Sequence, residues 1–172
     1  VDHTLAPQLR PLTRAAHLSA FTLAALWLIW LCLSSSSVGI PRDESIYLYA
    51  ADRFAGWWGQ LSTLGWDAFS RESIERGFGF NHEHPMLMKS LFGLSRDWLH
   101  NRWGVIQDPI LAYRLPSMFM ASLLVYLTVL LGAAIRGVWT GITAGLILMG
   151  MPRLFFHAHL ACFDLPVTLM WL

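Results

Sequence analysis

The chain has 172 residues, of which 55% are hydrophobic, 13% aromatic and only 13% charged. Soluble domains usually carry about a quarter of charged residues, so this composition indicates a membrane protein. The formal net charge of +1 gives no argument for nucleic-acid binding. Cys32 and Cys162 lie far apart in apolar surroundings, so they fit neither a disulfide framework nor a zinc ligand set.

The first apolar segment, residues 18–40, carries no charged side chain. At about 1.5 Å rise per residue, a helix of this length crosses a bilayer. Arg10 and Arg14 precede the segment, as basic residues do in a secretory signal peptide. A signal's apolar region, however, spans only about 7–15 residues and ends at a small-residue cleavage site. We therefore expect a retained transmembrane helix.

The predicted orientation follows from the basic residues that flank the spans. Arg10, Arg14 and Arg136 would lie on one side of the membrane and Arg153 on the other. Because cytoplasmic loops carry the excess of basic residues, the N-terminus is predicted to be cytoplasmic and the long region 41–114 external. We expect a multi-pass protein of a bacterial inner or plasma membrane.

The external region contains two stretches in which large apolar residues recur at helical spacing. Because Trp and Tyr dominate the first stripe, we expect it to form an amphipathic helix in the plane of the membrane interface. Asp108 followed by Pro109 is a typical start for the next long helix. The first stripe is Tyr47, Phe54, Trp57, Trp58 and Leu61, and the second is Leu87, Leu91, Leu94 and Trp98.

The predicted fold class is an all-α integral membrane protein. The last segment stops in the middle of a helical pattern, so we expect the chain to be an N-terminal piece of a larger protein. The expected segments are 1–17 as a cytoplasmic N-terminal segment, 18–40 as transmembrane helix 1, 41–108 as an external loop with interfacial helices, 109–135 as transmembrane helix 2, 137–151 as transmembrane helix 3, 152–163 as an external loop or re-entrant segment, and 164–172 as the start of transmembrane helix 4.

Two adjacent carboxylates, Asp43 and Glu44, follow the first span directly. In the first turn of an interfacial helix, both would lie at its positive end, where anions gain about 0.3–1 kcal/mol. The alternative is a general base at the membrane surface that removes a proton from an acceptor hydroxyl. Neighbouring side chains on a helix point about 100° apart, so one of them would react and the other would bind or orient substrate.

The stretch NHEHPMLMK, residues 81–89, holds the next polar group. His82, Glu83 and His84 suggest metal ligands, but histidines two apart do not share a helix face, and no further ligand is evident. The metal is therefore left unassigned. Lys89, near headgroup level, would either pair with a lipid phosphate or extend its ammonium to water.

The last polar group lies in MPRLFFHAHLACFDLP, residues 151–166. On a helix, His157 and Asp164 would face one side, two turns apart. Charges at membrane depth are costly and usually face a cavity or a partner. Asp164 is then either a functional carboxylate or the cap of a helix that continues through Pro166, and Arg153 adds a cation on the same external side.

Four elements thus occur in order along the chain. They are an acidic pair with a downstream Tyr, RDESIY, a His-Pro element ending in Lys, EHPMLMK, an Arg-led span, AYRLPSMFMASLLVYL, and an Asp-Pro element, HAHLACFDLP. This order resembles that of the polyprenyl-phosphate-sugar-dependent glycosyltransferases of the GT-C fold. The nearest likeness is to the protein O-mannosyltransferase and aminoarabinose transferase group (glycosyltransferase family 39). Met86 stands where relatives often have a second Pro.

The resemblance implies the N-terminal part of a GT-C-type polytopic bundle. It implies sugar transfer with inversion from a polyprenyl-phosphate donor to a protein, lipid or glycan acceptor outside the cytoplasm, performed by the complete protein. Asp43 would be the catalytic base or acceptor-binding carboxylate beside Glu44, and Asp164 would be the second catalytic acid. No cofactor is assigned, and a divalent metal is left open. The implied substrate-binding residues are Tyr47, His84, Lys89 and Arg153, the last two as ligands of the donor phosphate.

Two other functions are compatible with these residues. A fragment of a secondary transporter would use His157, His159 and Asp164 as an intramembrane proton or ion relay. An inactive, truncated membrane subunit would need no reactive group. The relay does not account for an acidic pair placed directly after the first span.

Overall fold

The computed structural model describes residues 9–172, and it contains no β-strand within that range. Short 3₁₀ turns follow the first two helices at Ser35–Ser37 and Gly65–Phe69, and a π-helix at Asp97–Arg102 extends the fourth. The helices of the described range are α1 (Arg14–Ser34), α2 (Arg42–Leu64), α3 (Arg71–Phe78), α4 (Met86–Arg96), α5 (Pro109–Arg136), α6 (Val138–Met149), α7 (Pro152–Ala158) and α8 (Asp164–Met170).

Two of the described helices are long and apolar enough to cross a membrane. They are α1 with its 3₁₀ turn, 24 residues, and α5, 28 residues. The α6–α7 pair passes the same test only as a unit bent by 72°, which would give three spans. The expectation of an all-α chain is confirmed for residues 9–172, and these two or three apolar helices are consistent with a membrane protein.

The first helix begins and ends earlier than the predicted span 18–40. It runs from Arg14 to Ser34 and tightens into the 3₁₀ turn Ser35–Ser37. The serine run explains the early end, because serine side chains compete for backbone hydrogen bonds. Pro41 then precedes α2 in extended conformation, with ψ 159°.

The described residues group into two compact units. Unit 1 comprises residues 9–33, 118–158 and 164–172, and unit 2 comprises residues 34–117 and 159–163. In unit 1, α5 and α6 form a helical hairpin through Gly137, whose φ of 104° favours glycine. A Cβ added to Gly132 would lie 2.8 Å from the Cα of Gly141. Small residues therefore let the two backbones approach closely.

Unit 2 is built around α2, which packs against α3 and α4. Two members of the predicted interfacial stripe, Phe54 and Trp57, are only 0% and 7% exposed. They form the core of the unit with Ala50, Ala68 and Phe78. The core of unit 2, between α2, α3 and α4, already shields these rings from water. They therefore cannot contact a membrane interface.

A further helix, α3, lies between the two predicted stripes. Ser70 caps it, with its hydroxyl accepting a hydrogen bond from the Ser73 N–H at 3.4 Å. The predicted start of α5 is confirmed. The Asp108 carboxylate accepts a hydrogen bond from the Ile110 N–H at 2.9 Å, and Pro109 is the first helical residue.

Candidate functional site

The acidic pair lies in the first turn of α2, where the sequence predicts it. The two carboxylates have opposite environments: Glu44 is buried and Asp43 is exposed. This contrast follows from the roughly 100° between successive helical side chains. One carboxylate therefore belongs to the interior of unit 2, and the other is accessible to a substrate.

Glu44 forms a buried, two-point ion pair with Arg114 of α5. The Arg114 Nε donates to Glu44 Oε1 at 2.8 Å, and its Nη2 donates to Oε2 at 2.7 Å. The two side chains are 1% and 0% exposed. A buried ion pair costs desolvation of both charges and is tolerated only with such geometry and with further hydrogen bonds.

The remaining guanidinium donors of Arg114 bind the connection between α1 and α2. Its Nη1 donates to the carbonyls of Ser35 and Val38 at 3.1 and 3.0 Å, and its Nη2 donates to that of Gly39 at 2.9 Å. All five N–H donors of the guanidinium thus have an acceptor. Arg114 therefore fixes where α2 begins.

The segment 159–163 closes over the same ion pair. The Ala161 N–H donates to Glu44 Oε1 at 2.8 Å. The fully buried His159 contacts the Ser34 hydroxyl through Nε2 at 2.8 Å. The Ser117 hydroxyl donates to the Cys162 carbonyl at 3.4 Å. Glu44 is therefore occupied by structural hydrogen bonds, which argues against its predicted role as a base.

Three aromatic rings from three separate elements meet in unit 2. The Tyr47 ring lies 5.4 Å from that of His84 and 4.8 Å from that of Phe163, edge to face in both cases. The His84 and Phe163 rings stack at 5.4 Å with an interplanar angle of 20°. Such pairs contribute about 0.5–1.5 kcal/mol beyond their buried area. Tyr47 and His84, both predicted site residues, are thus brought together.

Asp43 is adjacent to this aromatic cluster by helix geometry. It precedes Tyr47 by four residues on α2, and residues four apart on a helix lie about 5–6 Å from each other at Cβ. The accessible carboxylate and the cluster therefore share one face of α2. This face combines a proton acceptor with flat apolar rings, a combination suited to holding a sugar or another hydroxyl-bearing acceptor.

Lys89 is completely buried in unit 2, with 0% exposure. Its ammonium donates to the backbone and side-chain oxygens of Asn81, the latter at 3.2 Å, and lies 4.8 Å from the centre of the Phe54 ring. Burial lowers the pKa of Lys89, and the Glu83 carboxylate opposes this shift. The predicted contact with a donor phosphate is not available to an enclosed ammonium. Lys89 instead holds the loop that carries His84.

The His82–Glu83–His84 run does not gather its side chains around one point. Glu83 accepts a hydrogen bond from the Asn81 amide at 2.7 Å, and His82 contacts the Gly79 carbonyl at 3.2 Å. The His84 ring stacks on Phe163 instead. A hydrogen bond from its own backbone lowers the pKa of the exposed Glu83, and the charges of His84, His82 and Lys89 add to this effect. This stretch therefore forms a hydrogen-bonded loop.

The other two predicted site residues, Arg153 and Asp164, lie in unit 1. Asp164 begins α8 and pairs with His157 of α7, with 3.2 Å between Oδ2 and Nδ1. Arg153, His157 and Asp164 line a cavity of about 280 Å³. The sequence pattern predicts His157 and Asp164 two turns apart on one helix, but the structure places them on separate short helices that bring their side chains into contact.

Sequence reasoning did not assign Arg114, which organises the acidic pair, or Phe163, which completes the aromatic cluster. A signal for Arg114 was present, because a charge at the start of a long apolar helix requires a partner. No local pattern distinguishes Phe163 from the other apolar residues near it. All four elements of the family resemblance contribute to this part of unit 2, through Glu44, His84, Arg114 and Ala161 with Phe163.

The chain matches no protein-family model, no curated protein and no solved structure.

Proposed function

We propose that the chain belongs to a membrane glycosyltransferase that moves a sugar from a polyprenyl-phosphate donor to an acceptor. The observation that carries the proposal is the meeting of four separate sequence elements around Glu44 and Tyr47 in unit 2. The same four elements carry the family resemblance.

In this proposal Asp43 is the general base. It takes the proton from the acceptor O–H or N–H as the acceptor atom attacks the anomeric carbon. The bond from that carbon to the phosphate oxygen breaks, and its electron pair leaves with the polyprenyl phosphate. Because attack and departure occur on opposite faces, the configuration at the anomeric carbon inverts. A well-positioned base of this kind contributes about 10²–10⁴-fold to the rate.

Glu44 acts as a positioning residue in the proposed mechanism. Its ion pair with Arg114 and its hydrogen bond from Ala161 hold the first turn of α2, and with it the backbone that carries Asp43. Tyr47 and His84 supply ring faces against which a sugar can pack. Placement of reacting groups to within about 1 Å matters strongly for rate, so such support has a large indirect effect.

The leaving phosphate requires a cation, and the proposal excludes Lys89 from that role because Lys89 is enclosed. The resemblance assigns the phosphate to Arg153, an exposed residue of unit 1, and this assignment stays a prediction. Neutralising the departing dianion with a guanidinium lowers the barrier electrostatically. A divalent metal is not assigned.

The test is sugar transfer from a labelled polyprenyl-phosphate donor in membranes that contain the complete protein. Asp43→Asn is expected to lower transfer by about 10²-fold or more, because it removes the proton acceptor. Asp67→Asn is the matched control, since Asp67 is also an exposed carboxylate of unit 2 but lies beyond the far end of α2. Equal transfer by the Asp43 variant and the control would refute the proposed base.

The transporter alternative is favoured by one observation, the His157–Asp164 pair beside a cavity. His and Asp side chains in membrane segments often form part of a proton or ion path. Solute uptake into vesicles that collapses on Asp164→Asn, together with absent sugar transfer by the unaltered protein, would support this alternative and exclude the transferase.

A further inference from the structure

Unit 2 leaves large apolar side chains exposed outside its core. Trp66 is 89% exposed, Val105 71% and Trp103 64%. These three residues lie outside both predicted stripes, and the first stripe contributes Phe54 and Trp57 to the core. They fall into two patches, one of Leu64, Trp66 and Phe69, the other of Trp98, Trp103 and Val105.

Both patches are held in place by contacts within unit 2. The Trp66 and Phe69 rings lie 6.0 Å apart, and Phe69 in turn lies 5.8 Å from the buried Trp57. The Trp98 and Trp103 rings lie 6.1 Å apart. Their exposure is therefore a property of the folded unit.

The first patch contacts the C-terminal half of α2 through Phe69, and a residue next to the second patch, Arg102, reaches the same half. Phe69 lies against Trp57, and the guanidinium of Arg102, next to Trp103, is 3.8 Å from the Cβ position of Gly59. Trp57 and Gly59 are less than one turn apart on α2. We call the two patches together the aromatic edge.

Chain connectivity places one patch beside a membrane. Val105 precedes Pro109, the first residue of the candidate span α5, by four residues. At no more than about 3.6 Å per residue, Val105 lies within about 15 Å of the start of that helix. Trp is the residue most typical of this depth, since its ring is apolar and its N–H can bind headgroups or water.

The charges next to the aromatic edge favour a lipid surface over a buried protein contact. Arg71 pairs with Glu75 at 2.8 Å and Arg76 with Glu72 at 2.6 Å on α3, and all four side chains are at least 63% exposed. The centres of protein–protein interfaces are depleted of such charged groups. Exposed charges directly beside exposed indole rings are instead typical of elements at the bilayer interface.

We propose that the aromatic edge inserts into the headgroup–acyl boundary of a bilayer. The aromatic edge attaches unit 2 to the membrane next to the C-terminal half of α2. It takes the place of the first predicted stripe, whose Phe54 and Trp57 are buried. The partner is the lipid surface itself, recognised by apolar area and indole rings rather than by one specific headgroup.

The test places an environment-sensitive fluorophore at single cysteines of this 172-residue chain in lipid vesicles. Cys32 and Cys162 are first replaced by Ala, and the labelled variants are Trp66→Cys and Trp103→Cys. Glu72→Cys is the matched control, because it is exposed but lies on the charged side of α3. Lipids brominated near the headgroup end of the acyl chain are expected to quench the labels at positions 66 and 103 at least about twofold more than the control label.

Equal quenching at all three positions would overturn the proposal. A label that is shielded from aqueous iodide but not quenched by brominated lipid would show that protein covers the edge, and would also overturn it. If Trp103→Cys prevents folding, Val105→Cys replaces it, since Val105 is 71% exposed in the same patch.

Discussion

Glu44 and Arg114, 70 positions apart in the chain, form an ion pair that is almost completely inaccessible to solvent. Because of this pair, the two adjacent carboxylates Glu44 and Asp43 lie in different environments. Glu44 is held by Arg114 and by the backbone of Ala161, whereas Asp43 stays exposed. The neighbouring acids therefore differ in what each can do, although the sequence presents them as equivalent.

Replacing Glu44 with Gln is expected to destabilise the protein by about 3–5 kcal/mol, because it leaves the Arg114 charge buried without its counter-charge. Denaturant unfolding in detergent, followed by circular dichroism, measures the change. Glu75→Gln is the control, since Glu75 belongs to an exposed ion pair and such pairs contribute only about 0–1 kcal/mol. A loss at Glu44 no larger than the loss at Glu75 would contradict the structural role of the pair.

Replacing Arg114 with Lys is expected to destabilise the connection before α2 nearly as much as removing the charge would. An ammonium has three donors and no planar fork, so it cannot serve the five acceptors that surround the guanidinium. The unsatisfied carbonyls lie in the connection before α2, so limited proteolysis should cut near residues 35–39 faster than in the unaltered protein. Arg96→Lys, at a partly exposed ion pair, should leave that cleavage unchanged. An uncut connection in the Arg114 variant would oppose this account.

Replacing Lys89 with Met is expected to release the loop that carries His84. The change removes hydrogen bonds from a charged donor to both oxygens of Asn81, and bonds of this kind contribute about 1.5–3 kcal/mol each. Amide hydrogen exchange in residues 81–85 should therefore accelerate by about tenfold or more. If exchange is unchanged while donor binding falls, Lys89 contacts the donor directly and its assignment to the loop is wrong.

Low pH should destabilise the same loop, residues 81–85, because the Glu83 carboxylate becomes protonated. The folded protein lowers the pKa of this carboxyl below its ordinary value of 4.5. The charged form is therefore favoured by folding, and its contribution is present above pH 4.5 and is lost as pH falls through the lower folded pKa. Hydrogen exchange of the loop, compared between Glu83→Gln and the unaltered protein at falling pH, measures this. The difference between the two should shrink in acid, and a constant difference would exclude the linkage.

Local pattern was sufficient for the helical class, for the span at α5 and for its cap at Asp108. These features depend on residues near each other in sequence, such as a long apolar run or an Asp-Pro pair. The membrane-interface environment predicted for Phe54 and Trp57 is wrong. An aromatic helix face has the same sequence pattern whether it contacts lipid or the core of a folded unit. Only the positions of α3 and α4 decide between them.

Part of the candidate site could be predicted from the sequence, but Arg114, Phe163 and the different roles of the two acids could not. Asp43, Glu44, Tyr47 and His84 could be selected from motif order alone. The burial of Glu44 depends on Arg114 and Ala161, which are distant in sequence. The burial of Lys89 depends likewise on how α4 packs against α2. Residue type and spacing carry no information about such long-range partners.

The most direct test of the account compares Asp43→Asn with Glu44→Gln in one preparation, scoring both folded fraction and sugar transfer per folded molecule. We expect Asp43→Asn to fold like the unaltered protein and to lose transfer by about 10²-fold or more. We expect Glu44→Gln to lose mainly its folded fraction. A folded Asp43→Asn protein with undiminished transfer would contradict the central claim.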